Sequence, residues 1–180
     1  MTRFFCHKSN NYNNQVQLFI NMDKEALLKF TAKAHRNTYA ALKELQKKFK
    51  CEVPVLEGHK DYDFVEGDFR YHDSYTGSAW APGREVVFFK GEPVWVMAYQ
   101  GRTPEGLDKD FVEESFEFLK KALMALTDEV PFRGLDGFSE GDYRYEFKFE
   151  GDYQYFVGKE IVFYKEKEVF SQDVMGSLVK

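Results

Sequence analysis

Glu85 and Glu160 each interrupt an apolar, strand-like run, in GREVVFF (83–89) and GKEIVFY (158–164). Alternation along a strand puts Glu85 on the face of Val87 and Phe89, and Glu160 on the face of Val162 and Tyr164. A carboxylate on an apolar face is costly unless it is paired or hydrogen-bonded. Arg70 and Arg144, at matching places in the preceding segments, are the cations expected to pair with them. The first role expected of these pairs is structural, fixing strand register and closing the polar end of a core. Two functional readings stand beside it. In one, a pocket between the two halves of the chain binds a small ligand through Arg70, Arg84, Arg144 and Lys159, walled by Trp80, Trp95 and Tyr99. In the other, Glu85 and Glu160 act as acid and base of a small cofactor-independent enzyme, which requires surroundings that keep one carboxyl protonated and the other ionised.

Other chemistries find less support. His59, Asp61 and Asp63 alternate, with His72 and Asp73 close in sequence, and suit a divalent ion by type, yet their spacing matches no metal motif. No metal and no cofactor is expected. Cys6 and Cys51 are the only cysteines, too few for a disulfide framework. The serines lack the Gly-x-Ser-x-Gly turn, and no phosphate-binding glycine loop or dinucleotide fingerprint occurs.

The elements that must hold these residues read as one unit written twice. FVEGDFRYHDSYTG (64–77) aligns without a gap to FSEGDYRYEFKFEG (138–151), and SAWAPGREVVFFKGEPVWV aligns to DYQYFVGKEIVFYKEKEVFS with one residue added. Period-two patterning predicts antiparallel strands, with Lys90-Gly91-Glu92 and Lys165-Glu166-Lys167 as hairpin turns. Pro93, which lacks an amide donor, belongs at an edge or a strand start. A helix precedes each strand set. One runs from Asp23 as N-cap through Leu27 to Phe49 on three- and four-residue spacing; the other follows Asp108 and covers about 109–126. The fold class expected is α+β, an internally duplicated unit of one amphipathic helix and an antiparallel sheet, with approximate two-fold symmetry. Residues 1–22 read as a poorly ordered arm, with Met22 as an alternative start; 23–103 form the first repeat and 104–180 the second, sharing one core. Whether the repeats build one sheet or two is left open by periodicity.

Lys29, Lys33, Arg36, Lys43 and Lys47 line the outer side of the first expected helix. By helical rise they make a basic stripe about 27 Å long, assigned here as a partner-binding surface. Asp110, Glu113, Glu114 and Glu117 give the second helix an acidic outer face, so a homodimer steered by charge is one expected assembly. A net charge of −5 over 180 residues disfavours indiscriminate nucleic-acid binding without excluding a local contact. With 43% hydrophobic and 18% aromatic residues the chain can build a substantial core, and no apolar run is long enough for a membrane span. Cytoplasm is the location expected. The functional expectation is a noncatalytic binding or regulatory protein, with a protein or small-molecule partner of unknown identity.

The run YHDSYTGSAWAPGREVVFFKGEPVWVMAYQG, Tyr71 to Gly101, resembles an uncharacterised bacterial family of small domains, some joined to an N-terminal helix-turn-helix module. The family's Tyr-x-Gly falls on Tyr75 and Gly77, its Gly-Gln-Glu-Val-Val on Gly83 to Val87, its Gly-x-Pro-Val-Trp on Gly91 to Trp95, and its aromatic-Gly ending on Tyr99 and Gly101. Arg84 stands where the family has Gln, a departure that would alter any hydrogen-bonded site there. Val130 to Gly176 is similar to the family's second half more loosely. The resemblance implies no activity.

Overall fold

A computed structural model describes residues 23–179; the arm read over 1–22 lies outside the described residues. Asp23 accepts from Glu25 N at 3.0 Å and opens helix α1, Lys24–Asn37, as an N-cap should. The single helix expected to reach Phe49 stops here. Asn37 Nδ2 donates to Lys33 O at 2.7 Å and Thr38 Oγ1 to Ala34 O at 2.9 Å, so side chains take carbonyls that the next helical turn would use. The chain turns, buries Ala40 and Ala41, and resumes as the short helix α2, Lys43–Phe49. Helix α3, Lys109–Met124, starts on Asp108, whose Oδ1 accepts from Asp110 N at 2.9 Å and Phe111 N at 3.4 Å.

Eight strands follow the alternation of the sequence: β1 Lys60–Glu66, β2 Phe69–Tyr75, β3 Trp80–Phe89, β4 Glu92–Arg102, β5 Ser139–Glu140, β6 Tyr143–Asp152, β7 Tyr155–Tyr164 and β8 Lys167–Leu178. They form one antiparallel sheet in the order β1-β2-β3-β4-β8-β7-β6-β5. Two four-stranded meanders thus meet where β4 pairs with β8, Tyr99 opposite Val174. Both expected hairpin turns form. Lys90 and Gly91 have φ of 53° and 85°, Lys165 and Glu166 of 49° and 60°; two successive positive values match the twist of the flanking strands. Glycine fills only one of these four positions. Pro93 is the second residue of β4, opposite Phe88 just past a register shift.

The helices cover one face of the sheet. Phe30 of α1 stacks on Phe69 at 4.9 Å and Phe118 of α3 on Tyr143 at 4.9 Å. Leu27, Phe64 and Tyr71 of the first meander's side belong to the same buried cluster as Tyr145, Phe156 and Val162 of the second. Each fully enclosed aromatic such as Phe156 contributes roughly 1.5–3 kcal/mol to that cluster by burial. The molecule is a mixed α and β protein in which sheet predominates. No helix of the described residues is long and apolar enough to cross a membrane.

Candidate functional site: a polar cavity under the helices

Glu85 and Glu160 do face the buried side, and their partners come from outside the sheet. Arg133, in the loop after α3, lies between them. It donates to Glu160 from Nε at 2.9 Å and from Nη2 at 2.5 Å, and its Nη1 stands 3.7 Å from Glu85 Oε1. Tyr145 Oη at 2.7 Å and Gln172 Nε2 at 2.8 Å also donate to Glu160. Both oxygens of this fully enclosed carboxylate are therefore occupied. Burial opposes charge on Arg133, but Glu160 outweighs it and holds the guanidinium well above its ordinary range. His35 of α1 places Nε2 2.6 Å from Glu85 Oε2, a close contact between two buried side chains that is not a hydrogen bond.

Asp73 completes the group. It sits directly across from Glu85 in the β2–β3 register, and both side chains are buried. Burial, and then the facing Glu85, push the Asp73 carboxyl well above the usual carboxylate range. Tyr99 Oη donates to Asp73 Oδ1 at 2.7 Å. Tyr99 can lie flat across β3 because position 83 is glycine: a Cβ there would stand 2.4 Å from the ring. The Gly83 and Tyr99 of the family-like pattern thus serve one purpose, bringing a phenol to a buried acid. The hydroxyls of Tyr71 and Tyr99 are themselves raised, first by burial and then by these carboxyls.

A cavity opens against this group. The cavity itself is small, about 40 Å³. Tyr71, Asp73, Glu85, Tyr99 and Arg133 form its polar wall; Leu119, Leu123 and Phe170 form much of the apolar one. Tyr39, Tyr75, Ala81 and Phe116 also line a wider outer chamber of about 570 Å³ that carries Lys43, Lys60 and the pairs Lys109–Glu113 and Lys120–Glu117. These four side chains are the common wall between the two spaces.

The expected site residues are only partly brought together. Glu85 and Tyr99 line the cavity, and Glu160 lies behind it. Trp95 is buried elsewhere, its indole N–H donating to Tyr153 O at 3.0 Å. Trp80 is half exposed under Arg102. Arg70 and Arg144 are not the partners of the glutamates. Arg70 bonds Asp63 at 2.8 Å, while Arg144 meets Glu146 and Glu166 and covers Phe163. Both stand on the sheet's other face, with exposed Arg84 and Lys159. The alternation that turns Glu85 inward turns Arg70 outward, since Tyr71 and Asp73 are the residues that face Val87 and Glu85. Arg133 and His35 were not expected. Arg133 sits in a loop without periodicity, and His35 falls beside Ala34 on a helix face that otherwise reads as core.

The basic stripe is not continuous. The helix break separates Lys29, Lys33 and Arg36 from Lys43 and Lys47. Lys29 pairs with Glu25, Lys33 with Glu66 and Lys47 with Glu44, while Arg36 donates to Leu126 O at 2.6 Å. On the outer sheet face His72 lies between Asp61 and Asp63, at 3.4 and 3.3 Å, and His59 bonds Ser74 at 2.9 Å. Among the described residues no cluster of three or more such side chains is placed to hold a metal ion. Cys51 is pushed up to about 11, first by burial and then by Asp63, which makes it a poor nucleophile at neutral pH.

Among known families, the model of a domain of unknown function (DUF5680) matches residues 73–179, from the cavity's Asp73 to the end of the described chain. No curated protein and no solved structure matches the chain.

Proposed function

The chain belongs to the DUF5680 family, and because that description carries no activity, we propose from the geometry of the cavity that the protein is a noncatalytic small-molecule-binding protein whose ligand enters between Tyr39, Tyr75, Ala81 and Phe116. One observation carries the reading. Asp73, Glu85, Tyr71 and Tyr99 turn polar groups into an aromatic-walled space that shares the wall of Tyr39, Tyr75, Ala81 and Phe116 with a wider outer chamber. A purely structural polar group would be expected to be enclosed and satisfied, as Glu160 is. Apolar walls with a few convergent polar groups are what small-ligand sites present.

An internal duplication supports the same picture. Each meander has its register shift at the matching place, Val87/Phe88 and Val162/Phe163. Lys90 and Lys165 share a positive φ, and a Cβ on Gly77 or Gly151 would meet a carbonyl oxygen, of Trp80 or Tyr155, at 2.0 or 2.1 Å. On this reading Glu85 and Glu160 are equivalent positions that diverged, one enclosed and one left beside the cavity. A helix-turn-helix partner module, as in the family resemblance, would make such a domain a sensor.

Benzyl alcohol, an uncharged aromatic molecule, is a direct probe. At millimolar concentration it should perturb the ring resonances of Tyr71 and Tyr99 saturably, and Ala81→Trp, which fills the passage, should abolish the effect. No perturbation in the natural protein, or an undiminished one in the Ala81→Trp variant, refutes the reading. A second reading, acid–base catalysis, is favoured by the raised Asp73 opposite Glu85. It shifts the catalytic pair from Glu85 and Glu160 to Asp73 and Glu85, because Glu160 has no free oxygen. Its test is a turnover that Asp73→Asn removes while the Tm holds.

A further inference from the structure

Three carboxyl groups, Asp73, Glu85 and Glu160, crowd around one permanent cation, Arg133, under the centre of the sheet. Arg133 is committed chiefly to Glu160, with two short bonds there against a 3.7 Å approach to Glu85. Glu85 retains His35, and Asp73 accepts only a phenol, from Tyr99. On the cavity side the carboxyls of Asp73 and Glu85 thus outnumber the one permanent cation, with the imidazole of His35 also in the wall. Around them stand the rings of Tyr71, Tyr75, Tyr99 and Phe116; aromatic faces attract a cation, and the Arg133 guanidinium already lies 5.9 Å from the centre of the Tyr99 ring.

We propose that the ligand is a small organic cation, an amine joined to an apolar or aromatic group, whose charged end seats on the facing carboxyls of Asp73 and Glu85 while its apolar part occupies the passage between Tyr39, Tyr75 and Phe116. This rests on the pocket reading above and gives it a chemical class. Burial, and then the facing Glu85, favour the protonated form of Asp73. A bound ammonium supplies a counter-charge, and the proton leaves Asp73 for solvent. Arginine and lysine side chains nearby do not substitute for it. Lys109 and Lys120 pair with Glu113 and Glu117, and Lys43 and Lys60 stand in the open outer chamber, where solvent and salt screen them beyond about 10 Å. The inner carboxyls have no such screen.

The groups that face Asp73 fix the sign of the pH dependence. They are Glu85 on β3, Tyr99 on β4, Tyr62 on β1, Tyr75 on its own strand, Tyr39 after α1, His35 of α1 and Arg133, with Asp61 acting from the sheet's other face. Of these only Arg133 is a permanent cation, and it is bonded chiefly to Glu160, while the His35 imidazole stands against Glu85. Cation binding requires the ionised acid, so affinity rises with pH until Asp73 is ionised in the free protein, and below that point binding releases about one proton.

The experiment titrates the full chain by calorimetry with benzylamine, benzyl alcohol and benzoate, which share a ring and differ in charge. Benzylamine should bind about tenfold to a hundredfold more tightly than benzyl alcohol, the range a charge-assisted hydrogen bond supplies. Benzoate should bind most weakly. Buffers of different ionisation enthalpy should reveal the released proton. Asp73→Asn, which keeps the acceptor for Tyr99, should reduce benzylamine to the affinity of the alcohol and flatten its pH profile. If benzyl alcohol or benzoate binds at the Tyr71 and Tyr99 rings as well as benzylamine or better, the cation assignment falls and the pocket stands. If benzylamine binds without proton release, or equally well to Asp73→Asn, the seat on Asp73 is wrong. If none of the three binds, this proposal and the pocket reading both fall.

Discussion

Arg133→Met removes the one guanidinium between two buried carboxylates. Glu160 is fully enclosed and takes two of its four hydrogen bonds from Arg133, while Glu85, 4% exposed, has His35, the Tyr71 hydroxyl and a more distant Arg133 beside it. Deleting one partner of a buried ion pair costs about 3–5 kcal/mol, because the survivor stays desolvated without compensation. At about 2–4 °C per kcal/mol for a chain of this size, the Tm should fall by roughly 6–20 °C. Methionine approximates the length of the lost side chain, so the change reports charge more than volume. Urea denaturation of the single variants Arg133→Met and Glu160→Met and of the double variant closes a thermodynamic cycle. The double variant should be more stable than the sum of the single losses predicts, by about 1–3 kcal/mol. An Arg133→Met loss below about 1 kcal/mol, or strictly additive variants, would refute the claim that this arginine neutralises the core carboxylates.

Gly83→Ala should displace Tyr99 from Asp73, since the added methyl would sit 2.4 Å from the ring; a loss of about 1–3 kcal/mol is expected, and an unchanged Tm would refute the contact. At the outer face, His72 and Arg70 offset the burial of Asp63 and hold its carboxyl well below the usual range. A depressed pKa gives stability that is present above the ordinary carboxylate range and lost as pH falls through the depressed value. Arg70→Gln should therefore cost less than about 1 kcal/mol at neutral pH, because the pair is partly exposed, and that cost should shrink on acidification. A pH-independent cost would show that Arg70 acts through packing on Phe88 instead.

Strand positions, both tight turns and both acidic helix caps were legible because each depends on local chemistry: alternation, the turn residues, and an Asp before an amphipathic run. The inward orientation of Glu85 and Glu160 was legible for the same reason. Their partners were not. Arg70 and Arg144 were plausible by proximity in sequence, but pairing across a sheet is set by register, and the register brings Asp73 rather than Arg70 to Glu85. Arg133 reaches the core from a loop whose sequence, VPFRG, announces neither burial nor direction. The helix break at Thr38 was hidden because Asn37 and Thr38 are tolerated inside helices, and only their bonds to the carbonyls of Lys33 and Ala34 end this one. That break matters for the site, since the turn it creates brings Tyr39 into the wall that the cavity and the outer chamber share.

The pairing of β4 with β8 has a consequence for synthesis. Of the eight strands, the one made last lies beside the middle of the sheet rather than at its rim. Until Lys167–Leu178 has been translated, β4 keeps an open row of amides and carbonyls along its length, the kind of border that recruits stray strands from other chains. Nascent protein must therefore wait, half built and adhesive, for its closing piece, and a ribosome stalled late in the message should release material prone to aggregate.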